Sequence, residues 1–128
     1  KIIIVFNKID LLSGEDKRKL EERCKAKRIN AFFVSAFSGE GIDELKKKIF
    51  ESMAVIRIYM KEPGKKVSNI PAVLPVGSTL KDAAESIFHG FSNRVREARV
   101  TGPSAKFANQ KVGLGHVLRD KDIVEFKV

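Results

Sequence analysis

Four residues, Asn7-Lys8-Ile9-Asp10, follow directly on an apolar run from Ile2 to Phe6. Their side chains suit the recognition of one purine over the other. Guanine offers two donors side by side, N1–H and the 2-amino group, and a single carboxylate such as that of Asp10 accepts both. Adenine has no 2-amino group and an unprotonated N1, so the same carboxylate meets an acceptor and rejects it. Asn7 both donates and accepts, which fits it either to hold the loop or to reach the N7 and O6 side of the base. Lys8 has a methylene stem long enough to lie over a flat ring while its ammonium stays in water. A charged hydrogen bond is worth about 1.5–3 kcal/mol, enough for strong base selectivity. Taken alone, Asn7 and Asp10 would also pass for ordinary residues of a turn at a strand end.

A second short segment favours the base-reading role. Val34-Ser35-Ala36 closes the apolar stretch that begins at Ala31. Where two such strands run parallel, their tips lie side by side. A small residue at Ala36 lets a backbone N–H approach the O6 of guanine closely, and Ser35 can buttress the loop. The remaining candidates have plainer roles. Gly113-Leu114-Gly115 lacks a third glycine and a following helix, so it is a tight turn. Asp120 and Asp122 precede a strand as turn residues, His116 serves as a polar contact, and Cys24 packs on an apolar helix side. Cys24, His89 and His116 show no metal-ligand spacing. No catalytic residue and no metal ligand is assigned.

The elements that position these residues follow from periodicity. Ile2 to Phe6 is expected to be a strand buried on both faces, as in a parallel sheet covered by helices. Ser13 to Lys27 reads as a helix with Ser13 at its N-cap, and Ala31 to Val34 as a second strand. Ile42, Leu45, Ile49, Phe50 and Met53 then share one helical face, with Lys46, Lys47 and Lys48 mostly on the wet side. Strand–helix–strand–helix is the grammar of an α/β fold, whose ligands lie beyond the carboxyl ends of the strands. The texture changes near residue 54. Ile56 to Met60 reads as a half-exposed strand turned by Pro63-Gly64, and the prolines at 71 and 75 confine Ala72-Val73-Leu74 to an edge. Thr79-Leu80-Lys81-Asp82 starts a helix whose apolar residues, from Leu80 to Phe91, keep one face for about three turns. Short strands follow at Ala98 to Val100 and at the end, where Val124, Phe126 and Val128 alternate with Glu125 and Lys127. Two units are expected: residues 1–54, α/β, and residues 55–128, a small α+β sheet with one helix on a face.

Composition bounds the rest. The chain has 128 residues, with 25 Lys+Arg against 16 Asp+Glu and a formal charge of +9. A hydrophobic content of 43% with 32% charged residues describes a folded soluble chain, not a disordered one. The longest apolar run is too short to span a bilayer. The one cysteine excludes an internal disulfide and fits a reducing, cytoplasmic setting. Cationic excess is greater in the second unit, where Arg94, Arg96 and Arg99 are joined by Lys106 and Lys111. Such a face suits a phosphate backbone. With only Phe107 interleaved, structured RNA held by charge and shape is favoured over base stacking, and DNA is not expected.

Asn7-Lys8-Ile9-Asp10 with Ser35-Ala36 resembles the base-recognition pair of the translation-factor class of P-loop GTPases. The second unit resembles a TGS domain, a β-grasp module. The order of the two, with Gly77-Ser78-Thr79, Ala98-Arg99-Val100-Thr101-Gly102, Lys111-Val112-Gly113 and Asp120-Lys121-Asp122-Ile123-Val124, most resembles the developmentally regulated GTP-binding proteins of the Obg-like group. Lys121 stands where that family's turn usually carries Gly. The resemblance implies that 1–54 is the C-terminal part of a GTPase domain that reads GTP or GDP. It also implies that the TGS-like unit docks a ribosome, structured RNA or a protein regulator. No Gly-x-x-x-x-Gly-Lys-Ser/Thr and no strand-following Asp-x-x-Gly occurs in the chain. The phosphate loop and Mg²⁺ ligands are therefore expected upstream, in a part that has been removed, and this chain alone is not expected to hydrolyse GTP. The rival expectation is a standalone RNA-binding or regulatory module whose α/β half is only a platform. A Gly-rich lysine loop upstream would separate the two.

Overall fold

The computed structural model describes residues 2–128, which divide into two compact units, the first ending at Met53 and the second spanning Ala54–Val128. In the first unit, β1 (Ile4–Phe6) and β2 (Ala31–Phe33) pair in parallel, with Ile4 opposite Ala31 and Phe6 opposite Phe33. The rings of Phe6 and Phe33 stack at 5.5 Å between centroids. A parallel pair needs a crossover, supplied here by helix α1 (Gly14–Ala26). Ser13 caps it, its hydroxyl accepting the Asp16 N–H at 3.1 Å. Glu15 and Asp16 in the first turn and Arg23 and Lys25 in the last oppose the helix dipole. Helix α2 (Ile42–Met53) follows the loop after β2.

The expectation of a strand from Ile2 buried on both faces does not hold. Ile2 is 90% exposed, and Ile4 and Val5 are 40% exposed. With one partner strand, the three-residue β1 has too little sheet around it to be covered on both faces. The apolar stripe of α2 shares this condition: none of its residues is fully buried, and Met53 is largely exposed.

The second unit is a five-stranded mixed sheet in the order β4-β3-β7-β5-β6 with helix α3 (Leu80–Ile87). Its strands are β3 (Val55–Lys61), β4 (Ala72–Pro75), β5 (Glu97–Thr101), β6 (Gln110–Val112) and β7 (Asp122–Lys127). β3 and β7 run parallel and the other neighbours antiparallel. Period-two alternation sends Ile56, Ile58, Ala98, Val100, Val124 and Phe126 inward, into one core with Leu80, Ala83 and Ala84 of α3. Burial of each large aliphatic side chain there contributes about 1.5–3 kcal/mol. Proline-flanked β4 lies at the edge, where a missing N–H does no harm. The Thr79 start is a full reciprocal cap: the Asp82 carboxylate accepts the Thr79 N–H at 2.7 Å while the Thr79 hydroxyl accepts the Asp82 N–H.

Three features differ from the sequence expectation. The apolar stripe from Leu80 to Phe91 is not one helix of three turns, because α3 stops at Ile87. Gly90 then takes φ 86°, and Phe91–Arg94 forms a separate 3-10 turn. The Glu85 carboxylate makes the break, accepting the Gly90 N–H at 2.8 Å and the Ser92 N–H at 3.1 Å. Phe91 nevertheless reaches the core, edge-on to both Phe88 and Phe126. The second difference is β6, too short and polar to read as a strand until β5 pairs with it. The third is Val128, which lies beyond β7 and is exposed. Lys121 occupies the left-handed region at φ 70°, a conformation that favours glycine.

Candidate functional site

Parallel pairing of β1 and β2 places their carboxyl ends side by side. The Val34 N–H donates to the Phe6 carbonyl at 2.8 Å, and the Ile9 N–H returns to the Val34 carbonyl at 3.2 Å. Ile9 and Val34 are buried and anchor the two tips. Asn7, Lys8 and Asp10 are thereby brought against Ser35 and Ala36. All five residues named from the sequence lie in one place.

Their contacts assign roles. Ser35 is fully buried, and its hydroxyl donates to Asp10 Oδ1 at 2.7 Å while accepting the Ser38 N–H at 3.0 Å. Asp10 is otherwise exposed, and its Oδ2 has no partner among the described residues. Asn7 Oδ1 accepts the Lys8 N–H at 2.7 Å and the Ala36 N–H at 3.1 Å. Of the two roles open to Asn7, its carbonyl oxygen takes the loop-holding one. The Ala36 amide expected to meet O6 is engaged by Asn7, so a base would share or displace that bond. Lys8 sits at φ 66°, ψ 32° as the lead-in to a 3-10 turn at Ile9–Leu11. A left-handed lysine costs about 1–3 kcal/mol, and such strain concentrates where a side chain must be aimed. The second tip is closed by Ser35 N–H to Glu40 O at 3.0 Å and Gly39 N–H to Ser35 O at 2.8 Å. At Gly41, φ is 73° and an added Cβ would lie 2.4 Å from the Phe33 carbonyl oxygen, so only glycine fits.

One supporting residue pair escaped the sequence. Lys17 of α1 reaches Glu40 at 2.9 Å, tying the helix to the loop that carries Ser35, and its ammonium is held above the usual lysine range chiefly by that hydrogen bond. A separation of 23 residues leaves no local pattern to signal it.

The two strand tips thus bring together a carboxylate pinned through one oxygen, the aliphatic stem of Lys8 and a loop of small residues. Among the described residues no cluster of His, Cys, Asp or Glu could hold a metal ion, and no helix is long and apolar enough to cross a membrane.

The basic residues of the second unit divide between side chains paired with Glu97 and side chains that are exposed. Glu97 draws in Arg99 at 2.6 Å, Lys111 at 3.3 Å and Lys127 at 3.5 Å on the sheet face away from α3. The hydrogen bonds from Arg99 and then Lys111 hold the Glu97 carboxyl down to about 2. Arg94 lies over the Phe88 ring at 5.5 Å. Arg96 and Lys106 have exposed side chains, their backbone amides bonded to Lys127 O and Gln110 Oε1. Glu97 lies opposite Lys127 and Arg99 opposite Lys111 on neighbouring strands, a register that sequence spacing alone does not reveal.

Comparison with known proteins completes the description. Residues 56–128 match the TGS domain family, and the chain belongs to it; the mixed sheet with one helix is its β-grasp fold. Over 95% of its length the chain is 34% identical to an uncharacterised GTP-binding protein of Halobacterium salinarum, covering 34% of that protein. A GTP-binding protein of Methanocaldococcus jannaschii is 37% identical over 95% of the chain, which covers 32% of it. Developmentally-regulated GTP-binding protein 2 of Homo sapiens is 27% identical over 96% of the chain and 33% of its own length. The chain thus spans about a third of these relatives. A crystal structure of a GTP-binding protein from Pyrococcus horikoshii superposes with a TM-score of 0.65 at 16% identity, over 98% of this chain and 45% of that one, and establishes likeness of fold.

Proposed function

We propose that this chain is the C-terminal portion of an Obg-like GTPase, in which Asn7, Lys8, Asp10, Ser35 and Ala36 read the guanine of GTP or GDP. The observation that carries this reading is the Asp10 carboxylate, pinned through one oxygen by buried Ser35 and free at the other. Names of the relatives as GTP-binding proteins support it. The phosphate loop and Mg²⁺ ligands belong to chain outside these 128 residues, so the chain alone does not hydrolyse GTP. In the same reading the TGS unit docks a ribosome, structured RNA or a protein regulator through its surplus of positive charge, in the cytoplasm.

The test is Asp10→Asn in the full-length gene product. Its amide oxygen can keep the Ser35 bond while the amide nitrogen replaces the free oxygen, turning an acceptor into a donor. Loss of a charged hydrogen bond of about 1.5–3 kcal/mol lowers GDP affinity about 10- to 150-fold. Xanthosine diphosphate, whose 2-oxo group accepts, gains in competition. Unchanged preference for guanine over xanthine in that assay removes Asp10 as the reader.

A further inference from the structure

In the second unit, which the TGS match spans from residue 56 to 128, every cation borne by a strand is matched by a carboxylate. Asp120 takes Arg57, Glu125 takes Lys61, and Glu97 takes Arg99, Lys111 and Lys127. Arg94 and Arg96, in the connection from α3 to β5, are exposed and make no ion pair among the described residues. Arg94 lies instead over the ring of Phe88, 5.5 Å from its centroid. That ring is 45% exposed and firmly braced. It meets Phe91 edge-on at 5.1 Å, and Phe91 meets Phe126 of the core edge-on at 5.7 Å. The left-handed turn at Gly90 and the 3-10 turn at Phe91–Arg94 fold the chain back so that ring and guanidinium meet.

Carboxylates near this pair are engaged elsewhere. Glu85 bonds Gly90 and Ser92 and stands 3.4 Å from His89, without a bond to Arg94. Arg96 lines a groove of about 380 Å³ at the ends of β5 and β6, together with Glu97 and Lys111. Glu97 already shares its two oxygens among three cations, so it leaves Arg96 unneutralised. The result is a flat, braced ring–guanidinium pair beside a cationic groove.

We infer that the end of α3 docks an unpaired base of RNA, stacked on the Phe88–Arg94 pair, with an adjoining phosphate drawn to Arg96. This rests on the docking part of the proposed function and narrows it, from structured RNA at large to a single-stranded stretch. From the sequence, Phe107 alone interleaves with the basic residues, which favours charge and shape; the fold adds Phe88. Base faces within a duplex are stacked against one another, so only an unpaired base can use the platform. An arginine that takes a phosphate at its edge keeps its face for a base. An acidic peptide would satisfy both arginines and leave the ring unused.

The experiment uses the full-length gene product and a short fluorescent oligoadenylate, with anisotropy as the readout. A blunt RNA duplex and an abasic ribose–phosphate oligomer of the same length are the comparison probes. Saturable binding of the single strand, tighter than that of either comparison probe, is expected. Phe88→Leu keeps an apolar contact with Phe91 but removes the ring, and should weaken the single strand about 5- to 150-fold while leaving the abasic oligomer unchanged. Arg94→Lys keeps the charge and loses the plane, so affinity should fall at least about fivefold with an unaltered salt slope. Circular dichroism and GDP affinity of both variants should match wild type, since neither residue belongs to the guanine site; this separates failure here from failure of base reading. No RNA binding by the wild type sinks the docking reading and this inference with it. Affinities within about twofold of wild type in both variants, or equal binding of the duplex or the abasic oligomer, overturn this inference alone. So does tighter binding of a glutamate peptide or of the matching DNA strand. Hydrogen exchange over residues 88–96 that is as slow before RNA is added as after would mean that the protein's own chain covers the patch, and overturns it too.

Discussion

Replacing Ser35 by alanine is the sharpest probe of how the loop that joins the two strand tips is built. The side chain is fully buried and makes two bonds, donating to Asp10 at 2.7 Å and accepting from the Ser38 amide at 3.0 Å. The first is charge-assisted, but Asp10 is exposed and water recovers part of it, leaving roughly 1–1.5 kcal/mol. The second is a neutral bond in an exposed loop, about 0.5–1 kcal/mol. Ser35→Ala should therefore loosen the loop by about 2 kcal/mol, an exchange rate ~30-fold faster for amides that open with it. Hydrogen exchange over residues 33–41 of the full-length protein measures this directly. Combining Ser35→Ala with Asp10→Ala closes a double-mutant cycle, in which a coupling of about 1 kcal/mol is expected for partners in contact. Strict additivity, or an exchange rate within about threefold of wild type, would refute the claim that Ser35 holds Asp10 in place.

Other outcomes follow from the second unit. The carboxyl of Glu85 is held down to about 2 from the ordinary 4.5, chiefly by the Gly90 N–H and then the Ser92 hydroxyl, and that of Glu97 likewise by Arg99 and then Lys111. Between these values the unfolded chain binds more protons, so stability conferred by the two carboxylates is complete above about pH 4.5 and is lost as pH falls towards 2. Tyr59 is the only tyrosine and there is no tryptophan, so its fluorescence during thermal unfolding reports this unit alone. A midpoint that does not move between pH 6 and about 2.5 contradicts the assignment. For docking, Arg94→Glu with Arg96→Glu should weaken association with a structured RNA and flatten its salt dependence by ~1 per lost phosphate contact. Equal slope and affinity in filter binding return those arginines to plain surface charge.

The meeting of the two strand tips was legible in the residues because its information is local. Strand ends, a helix between them and four consecutive polar positions bring Asn7, Lys8 and Asp10 towards Ser35 and Ala36 through short-range pattern and parallel pairing alone. The caps at Ser13 and Thr79 were legible for the same reason, since each bond spans three residues. Contacts that cross elements were not. Glu40 with Lys17, Glu97 with three cations, Asp120 forked onto Arg57 and Glu85 ending α3 early all depend on register between segments distant in sequence or on a turn that captures a carboxylate. Burial in the first unit was also misjudged from apolarity, because a run of Ile and Val states what a strand prefers and not how many neighbours it has. Local bonding preferences are written residue by residue, whereas cover and charge pairing arise from which elements meet, and that is decided in three dimensions.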